Sequence, residues 1–337
     1  MDTEHQKKIK QLFDSKFVAR LIKDQAPDFA EKYDLSILTI KPIKRNIGTQ
    51  SHHVIIQYNS PSFKDKPIFC SSSSDQNREN AFNALIFIQE NGFKNTDIFL
   101  PKPILFDKHR NAFFYQGIEG ENLLHYIKLN ADISDYIKQT AEWISTLHEI
   151  TTNGAENLNK QNSRIETIVP GPEKFLKKIE QKFPEYFDTV KENFKALVEW
   201  ENKNLDDQKN LALVHGDFHP ENIIINKSNN KVSAIDFTDI CVSDYARDIA
   251  NFIQQFRFMS LGRLSAEKIK HYQDMFLRGY FTARDIKKDK DIEKRIQLYS
   301  AWTALRSAIY FLLKSPAEPE NANTVLKEAQ SIVNQNE

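Results

Sequence analysis

The segment LVHGDFHPENIIIN, Leu213–Asn226, sets two histidines, an aspartate, a glutamate and an asparagine between two apolar runs. A further run, KVSAIDF (Lys231–Phe237), follows across NKSNN and carries its own acid, Asp236, near its end. Apolar runs on either side of a polar turn predict a β-hairpin. Asp217 and Asn222, five positions apart, then share one bend, and Asp236 closes the far side of the hairpin. Taken singly, each fragment has a plain reading. An aspartate in HGD can cap a backbone N–H, and an acid after an apolar strand is a common turn residue. Taken together, they place three oxygen-bearing side chains on a rigid frame, where positioning matters most.

Phosphoryl transfer asks for such a set. One carboxylate orients or deprotonates the attacking hydroxyl, and others hold a divalent ion across the phosphates. Magnesium prefers hard oxygen donors, which an Asn carbonyl and an Asp carboxylate provide. The D-x-x-x-x-N spacing followed by a strand-borne D-F matches a kinase catalytic loop and metal-binding aspartate.

Composition limits the other classes. Lys plus Arg and Asp plus Glu are equal at 46 each over 337 residues, which gives no support to a nucleic-acid or polybasic membrane role. Cys70 and Cys241 make no disulfide framework and suit a reducing cytoplasm. The start, MDTEHQKKIK, lacks the apolar stretch of a secretory signal. Ala301–Leu313 is too short to span a bilayer and is interrupted by Arg306. Nine glycines are scattered without a GxGxxG or Walker A cluster.

Along the chain, residues 1 to about 30 read as charged helix, with Ile9, Leu12, Phe13, Phe17 and Leu21 about one turn apart. Ile37–Ile40, His53–Tyr58 and Pro67–Cys70 read as strands. A helix capped by Ser74 or Asp75 follows and stops at Gly92. ILFDKHRNAFFYQGI (104–118) reads as a hairpin. Beyond Gly120 the pattern is helical: Asp132–Ile150, a loop over 151–172, then Glu173–Leu205. The chain from Asp244 on is helical too, with breaks near Gly262, Lys287–Lys290 and Pro316–Pro319.

HGDFHPENIII with AIDFTD resembles the aminoglycoside phosphotransferase and choline kinase family, relatives of the protein kinases. WISTLHEI (143–150), YARDIANF (245–252) and FLRGYF (276–281) resemble further segments of that family, and the likeness runs from about residue 40 to 310. The resemblance implies an α+β, bilobal protein-kinase-like fold, with a small antiparallel β-sheet lobe holding one helix and a larger, mostly helical lobe. Residues 1–30 are then an N-terminal helical segment, 31–116 the nucleotide-binding lobe and 117–337 the lobe of catalytic loop and substrate helices. It also implies transfer of the γ-phosphate of ATP, or GTP, to a small-molecule hydroxyl with Mg2+ or Mn2+. Carried over, Asp217 is the catalytic base or hydroxyl-orienting group, His215 steadies its loop, and Asn222 and Asp236 are metal ligands. Asp248 anchors the loop from beneath or caps a helix. Tyr115, Gln116 and Ile118 form the hinge beside adenine, and Gly48 and Ser51 the nucleotide-covering turn.

The small lobe departs from the pattern. Glu79, in RENAFNAL, fits the helix glutamate that pairs with a third-strand lysine, yet KPIFCSSSS has Cys70 or Ser71 where that lysine belongs. Three explanations are open: Lys64 or Lys66 lies closer than the register suggests, Lys44 or Arg45 reaches over from another strand, or the cation is absent. The last would fit a catalytically silent kinase-like binding or regulatory protein. A protein kinase is disfavoured, because eleven residues between Asp236 and Asp248 leave no room for an activation loop. Acceptor candidates are Asp239, Asp244, Tyr245, Gln255, Arg257, Trp302 and Arg306, and the neutral charge does not suit a polycationic acceptor. The expected partners are a nucleotide and a small molecule, in the cytoplasm.

Overall fold

The computed structural model describes residues 2–335 apart from 65, 75–76, 94–98, 169–170 and 205–207. The chain divides into two compact units, residues 1–121 with 224–238, and residues 122–223 with 239–337.

The first unit opens with helices α1 (Glu4–Lys10), α2 (Ser15–Gln25) and the short α3 (Pro27–Ala30). The predicted single helix is divided because Asp14 accepts from the amides of Lys16 and Phe17 and starts a new helix there. An antiparallel sheet follows, made of β1 (Thr39–Ile47), β2 (His52–Asn59), β3 (Ile68–Ser73), β4 (Lys102–Asp107) and β5 (Ala112–Gln116), in the order β1-β2-β3-β5-β4. The first strand begins two residues later than Ile37 and runs on to Ile47, with its register shifting between Pro42 and Lys44. Pro42 has no N–H for a regular ladder, and this strand is an edge strand, where proline is tolerated. Helix α4 (Arg78–Glu90) joins β3 to β4, and its cap is Asn77, not Ser74; Asp75 lies outside the described residues.

Alternation along the strands sorts the sheet into two faces. Val54, Ile56, Tyr58, Ile68, Cys70 and Phe114 share one face and bury it against Ile9, Leu12, Val18 and Ile22. The Tyr58 hydroxyl donates to the Leu12 carbonyl at 2.6 Å. The N-terminal segment is therefore part of the sheet's core. Full burial of each such aliphatic side chain stabilises by about 1.5–3 kcal/mol. The other face carries Phe69, Ser71, Phe113 and Tyr115, and Phe82 of α4 packs on it with its ring 6.1 Å from that of Phe113.

The hairpin predicted over Ile223–Phe237 is present as β8 (Ile223–Asn226) and β9 (Val232–Ala234), with β6 (Gly120–Asn122) alongside β8. It groups with the sheet unit and not with the helices. The reason is close backbone approach: a Cβ on Gly120 would lie 1.9 Å from the Ile225 carbonyl oxygen, so only glycine fits.

The second unit is helical: α5 (Leu123–Lys128), α6 (Ser134–His148), α7 (Pro172–Lys182), α8 (Pro184–Asn204), α9 (Ala246–Ser260), α10 (Ala266–Ala283), α11 (Lys290–Leu313) and α12 (Pro319–Asn334). Strands β7 (Leu211–Val214) and β10 (Cys241–Asp244) pair antiparallel, and β7 leads into the bend that carries Asp217. The breaks fall where the sequence puts them, and Ser265 and Asp289 cap α10 and α11 by accepting from main-chain amides. Trp302, Leu305, Ala308 and Leu312 of α11 enter a core with Ile179, Val190 and Leu197 of α7 and α8 and with Val325 and Ala329 of α12. Each unit holds one buried thiol, Cys70 and Cys241, and burial pushes the Cys241 thiol up to about 12. Among the described residues no helix is long and apolar enough to cross a membrane.

Candidate active site

The catalytic loop leaves β7 at His215 and is fixed from below by one side chain. Asp248, fully buried on α9, accepts from the main-chain N–H of His215 at 2.6 Å and from that of Gly216 at 2.9 Å. It also receives His148 Nε2 at 3.1 Å, and His148 Nδ1 meets the Tyr280 hydroxyl at 2.8 Å. Burial drives the His148 pKa down against the pull of Asp248, so the ring is neutral, with Nε2–H donating to the carboxylate and Nδ1 accepting from tyrosine. Burial alone would raise the Asp248 pKa; the bonds from His148 and the loop amide hold it below the usual carboxylate range. The three helical segments around His148, Asp248 and Tyr280 thus form one hydrogen-bond chain that ends on the loop. Gly216 sits at φ +81°, and a Cβ there would come within 2.4 Å of the Asp239 carbonyl oxygen. The loop turns there only with glycine.

At the top of the loop Asp217 is gripped on both carboxylate oxygens. Arg306 Nη2 donates to Oδ1 at 2.8 Å, and His219 Nε2 lies 3.3 Å from Oδ2. Arg306 also donates to the Gly216 carbonyl at 3.2 Å and to Asp239 Oδ2 at 3.3 Å, and Asn162 donates to Asp239 Oδ1 at 3.0 Å. Desolvation works to raise the Asp217 pKa, but Arg306 and then His219 hold it far below the carboxylate range. His219 is raised in turn: burial opposes its charge, and Asp217 outweighs burial. Asn222 donates Nδ2 to the Asp217 carbonyl at 2.9 Å, which turns its amide oxygen the other way. His215 is fully buried between Trp143 and Phe218, with ring centroids 6.4 and 5.7 Å away, and shapes the loop from inside.

A cavity of about 450 Å³ opens on Asp217 within the helical unit. Its polar lining comes from Asp217, His219 and Glu221 of the loop, from Asn251 and Gln255 of α9 and from Thr303, Arg306 and Ser307 of α11. Phe258, Tyr310 and Phe311 give it an aromatic wall, and Lys314 stands at its edge with Nζ 2.6 Å from Glu318 Oε1. Of the acceptor candidates, Gln255 and Arg306 line the cavity. Asp239 reaches it through Arg306. The others lie elsewhere: Asp244 is buried in an ion pair with Arg295, Arg257 pairs with Glu328, Trp302 is 2 % exposed in the core, and Tyr245 lies against His148 and Tyr280. On α11 the cavity side and the core side interleave, and Trp302 belongs to the core side.

Asp236 belongs to the sheet unit. It adopts φ +64°, a left-handed conformation that costs energy outside glycine and is found at functional sites. Its Oδ1 accepts from Thr238 Oγ1 at 2.6 Å and from Arg78 Nη1 at 3.2 Å. Arg78 is the first residue of α4 and only 3 % exposed. This cation stands on a helix and not on or beside the strands, where Lys44, Arg45, Lys64 and Lys66 are the candidates. Lys44 and Lys64 are exposed, Arg45 lies 4.8 Å over the Phe13 ring, and Lys66 lies 5.6 Å over that of Phe99. Glu79, beside Arg78, is exposed. Ser71 is on the face of Phe113 and Tyr115, while Cys70 points the opposite way. Gly48 donates its N–H to the Ser51 carbonyl at 2.7 Å and closes the β1–β2 turn. Gln116 donates to the Lys66 carbonyl at 3.0 Å, and Ile118 is buried.

A family model described as the phosphotransferase enzyme family matches residues 68–286. The chain belongs to this family. No curated protein matches it in sequence. Among solved structures this phosphotransferase resembles an ethanolamine kinase of Plasmodium vivax at 18 % identity and TM-score 0.63, over 94 % of this chain and 87 % of that one. It resembles spectinomycin phosphotransferase in complex with ADP and spectinomycin at 14 % identity and TM-score 0.57, over 94 % and 97 %. It also resembles an amicoumacin kinase in complex with AMP-PNP, Ca2+ and Ami at 13 % identity and TM-score 0.59, over 98 % and 96 %. At these identities the likeness is one of fold. The antiparallel sheet unit and the helical unit are those of the kinase-like fold.

Among the described residues no three His, Cys, Asp or Glu side chains gather as a metal-binding cluster. Magnesium does not require one, because it takes one or two side-chain oxygens and completes its shell with phosphates and water. An amide oxygen on Asn222 and a carboxylate on Asp236 are donors of the right hardness for that role.

Proposed function

We propose that this protein transfers the γ-phosphoryl group of a nucleoside triphosphate to a hydroxyl of a small-molecule acceptor. The observation that carries the reading is the cavity that opens on Asp217. Its volume falls in the range of small-molecule sites, about 300–1,000 Å³. The charges around it are mostly paired: Arg306 bridges Asp217 and Asp239, Lys314 pairs with Glu318, and Glu221 adds a further acid to the lining. Amides, hydroxyls and an aromatic wall suit a hydroxyl-rich molecule with one apolar face.

Asp217 stays ionised across the physiological range because its pKa is so far depressed. It is a poor proton acceptor in the ground state and a good hydrogen-bond acceptor. Loose phosphoryl transition states demand little deprotonation of the attacking oxygen before bond formation, so a carboxylate that aligns the hydroxyl is sufficient. Arg306 and His219 keep that carboxylate in one orientation. Asn222 and Asp236 are the residues with which this chain would hold Mg2+ (or Mn2+). The ion, when bound, neutralises charge on the transferring group.

The test is transfer of labelled phosphate from ATP and from GTP over a panel of polyols, nucleosides, amines and amino acids. Labelling of hydroxyl compounds supports the reading; labelling only of amines that lack a hydroxyl overturns the acceptor class. The competing reading, a nucleotide-binding protein without turnover, rests on the missing lysine of β3. It wins if nucleotide binds and nothing on the panel is labelled.

A further inference from the structure

We propose that Arg78 is the phosphate-binding cation of the nucleotide site, taking the place of the lysine that β3 does not carry. The inference rests on the phosphotransferase reading above and concerns the sheet unit alone. A triphosphate brought to this unit needs a fixed positive charge, and the face of β3 that carries Phe69 offers Ser71 and Ser73 instead. Among the described residues, Arg78 is the cation that touches Asp236.

Three features mark Arg78 as more than a structural ion pair. Its side chain is 4 % exposed, whereas that of Asp236 is 41 % exposed, so the pair is open on the acid's side and closed on the arginine's. Its Nε is buried with no hydrogen-bond partner among the described residues, a donor whose desolvation no bond within the protein offsets. Its position is secured from both ends. The Arg78 main-chain N–H donates to Asn111 Oδ1 at 3.3 Å, and Nη1 donates to Thr238 Oγ1 at 2.6 Å. Asn80, two residues on, donates to the Thr238 carbonyl at 3.1 Å. Helix α4 is thereby stitched to the Asp236–Thr238 segment through its first turn. A guanidinium has five donors, so one arm can stay on Thr238 while others donate to phosphate oxygens.

The experiment compares ATP with adenosine, which shares the base and sugar and lacks the phosphates. Binding of each to the full chain is measured by calorimetry with and without Mg2+. In Arg78→Gln, ATP affinity is expected to fall about tenfold to hundredfold, the worth of one or two charge-assisted hydrogen bonds, with adenosine affinity unchanged. Arg78→Lys is expected to stay within about threefold of the parent for ATP, since it restores the charge at one donor point. Should Arg78→Gln not fold, Arg78→Met, an uncharged chain of similar reach, takes its place with the same expected loss. A tenfold or greater loss in Arg78→Lys confined to ATP supports a role for the guanidinium geometry. An equal loss for ATP and adenosine, or no loss in either variant, overturns the assignment. Failure of the parent chain to bind ATP at all brings down the phosphotransferase reading itself, which the variants' behaviour does not.

Discussion

Asp217 is held by an arginine and a histidine in the helical unit, on a loop whose first two amides are tied to a fully buried aspartate. Asp236 is held in the sheet unit by a threonine from its own turn and an arginine from a helix 158 residues away in sequence. The first support is layered: every polar group beneath the loop bonds another, from Tyr280 up to Gly216. The second is a single stitch between one helix turn and one strand end. A charge beside a phosphate site can come from any element that reaches it, whereas a loop that must hold one carboxylate needs its whole foundation. On the assignment proposed above, the sheet unit takes its cation from α4 through one contact, while the loop in the helical unit depends on every layer beneath it.

The largest expected effect is on Asp217. Asp217→Asn should lower turnover by about 10²- to 10⁴-fold, the usual worth of a positioned acid–base group, with ATP affinity within twofold. Steady-state rates beside calorimetry check it, and parallel losses in both would merge the two carboxylates' roles and erase the contrast. Next is the foundation. Asp248→Ala strips the bonds of two buried amides and a ring N–H, and should destabilise the helical unit by about 3–5 kcal/mol. Denaturant unfolding followed by Trp fluorescence measures this, and a cost below 1 kcal/mol would mean the layered support is decorative. On the other side, Leu12→Ala leaves a cavity under the sheet and should cost about 2–5 kcal/mol. If stability instead stays at the parent's value, residues 1–30 are an appendage after all.

The smallest effect is with pH. His148 is neutral when folded because its pKa is depressed. In the unfolded chain it takes a proton near its ordinary value of about 6.5. Folded stability from this group is therefore complete above that value and is lost as pH falls toward the folded pKa. His219 has the opposite sign: its raised pKa contributes stability below about 6.5 that is lost as pH rises through the folded value. His148→Gln should flatten the acid side of the stability–pH curve and His219→Gln the other. Unaltered curves would show that neither ring carries the shift assigned to it.

The bend that carries Asp217 and Asn222 could be read in advance because polar side chains between apolar runs have few places to go. The anchoring aspartate was readable too, though only as one of two roles, since capping and anchoring leave the same local pattern. Arg78 could not be read. An arginine beside a glutamate at a helix start looks like a solvated surface pair, and nothing local says that residues 236–238 will cover it. Arg306 gave a signal of another kind: a lone charge in YSAWTALRSAIYFLL must have an acid or a cavity beside it, and it has both. Trp302 misled because, at four residues' distance, it shares Arg306's stripe in sequence but turns into the core. The hairpin was legible as a hairpin. Its membership of the sheet unit was not, because that depends on the backbone contact of Gly120 with Ile225.

The placement of the two cysteines, one sealed in each unit, has a practical consequence. A thiol-reactive dye will not label either residue until the surrounding core opens. The native chain thus carries a pair of internal clocks, Cys70 timing exposure of the sheet and Cys241 timing exposure of the helices. Mass spectrometry of the labelled peptides would tell, without any engineered probe, which half lets water in first.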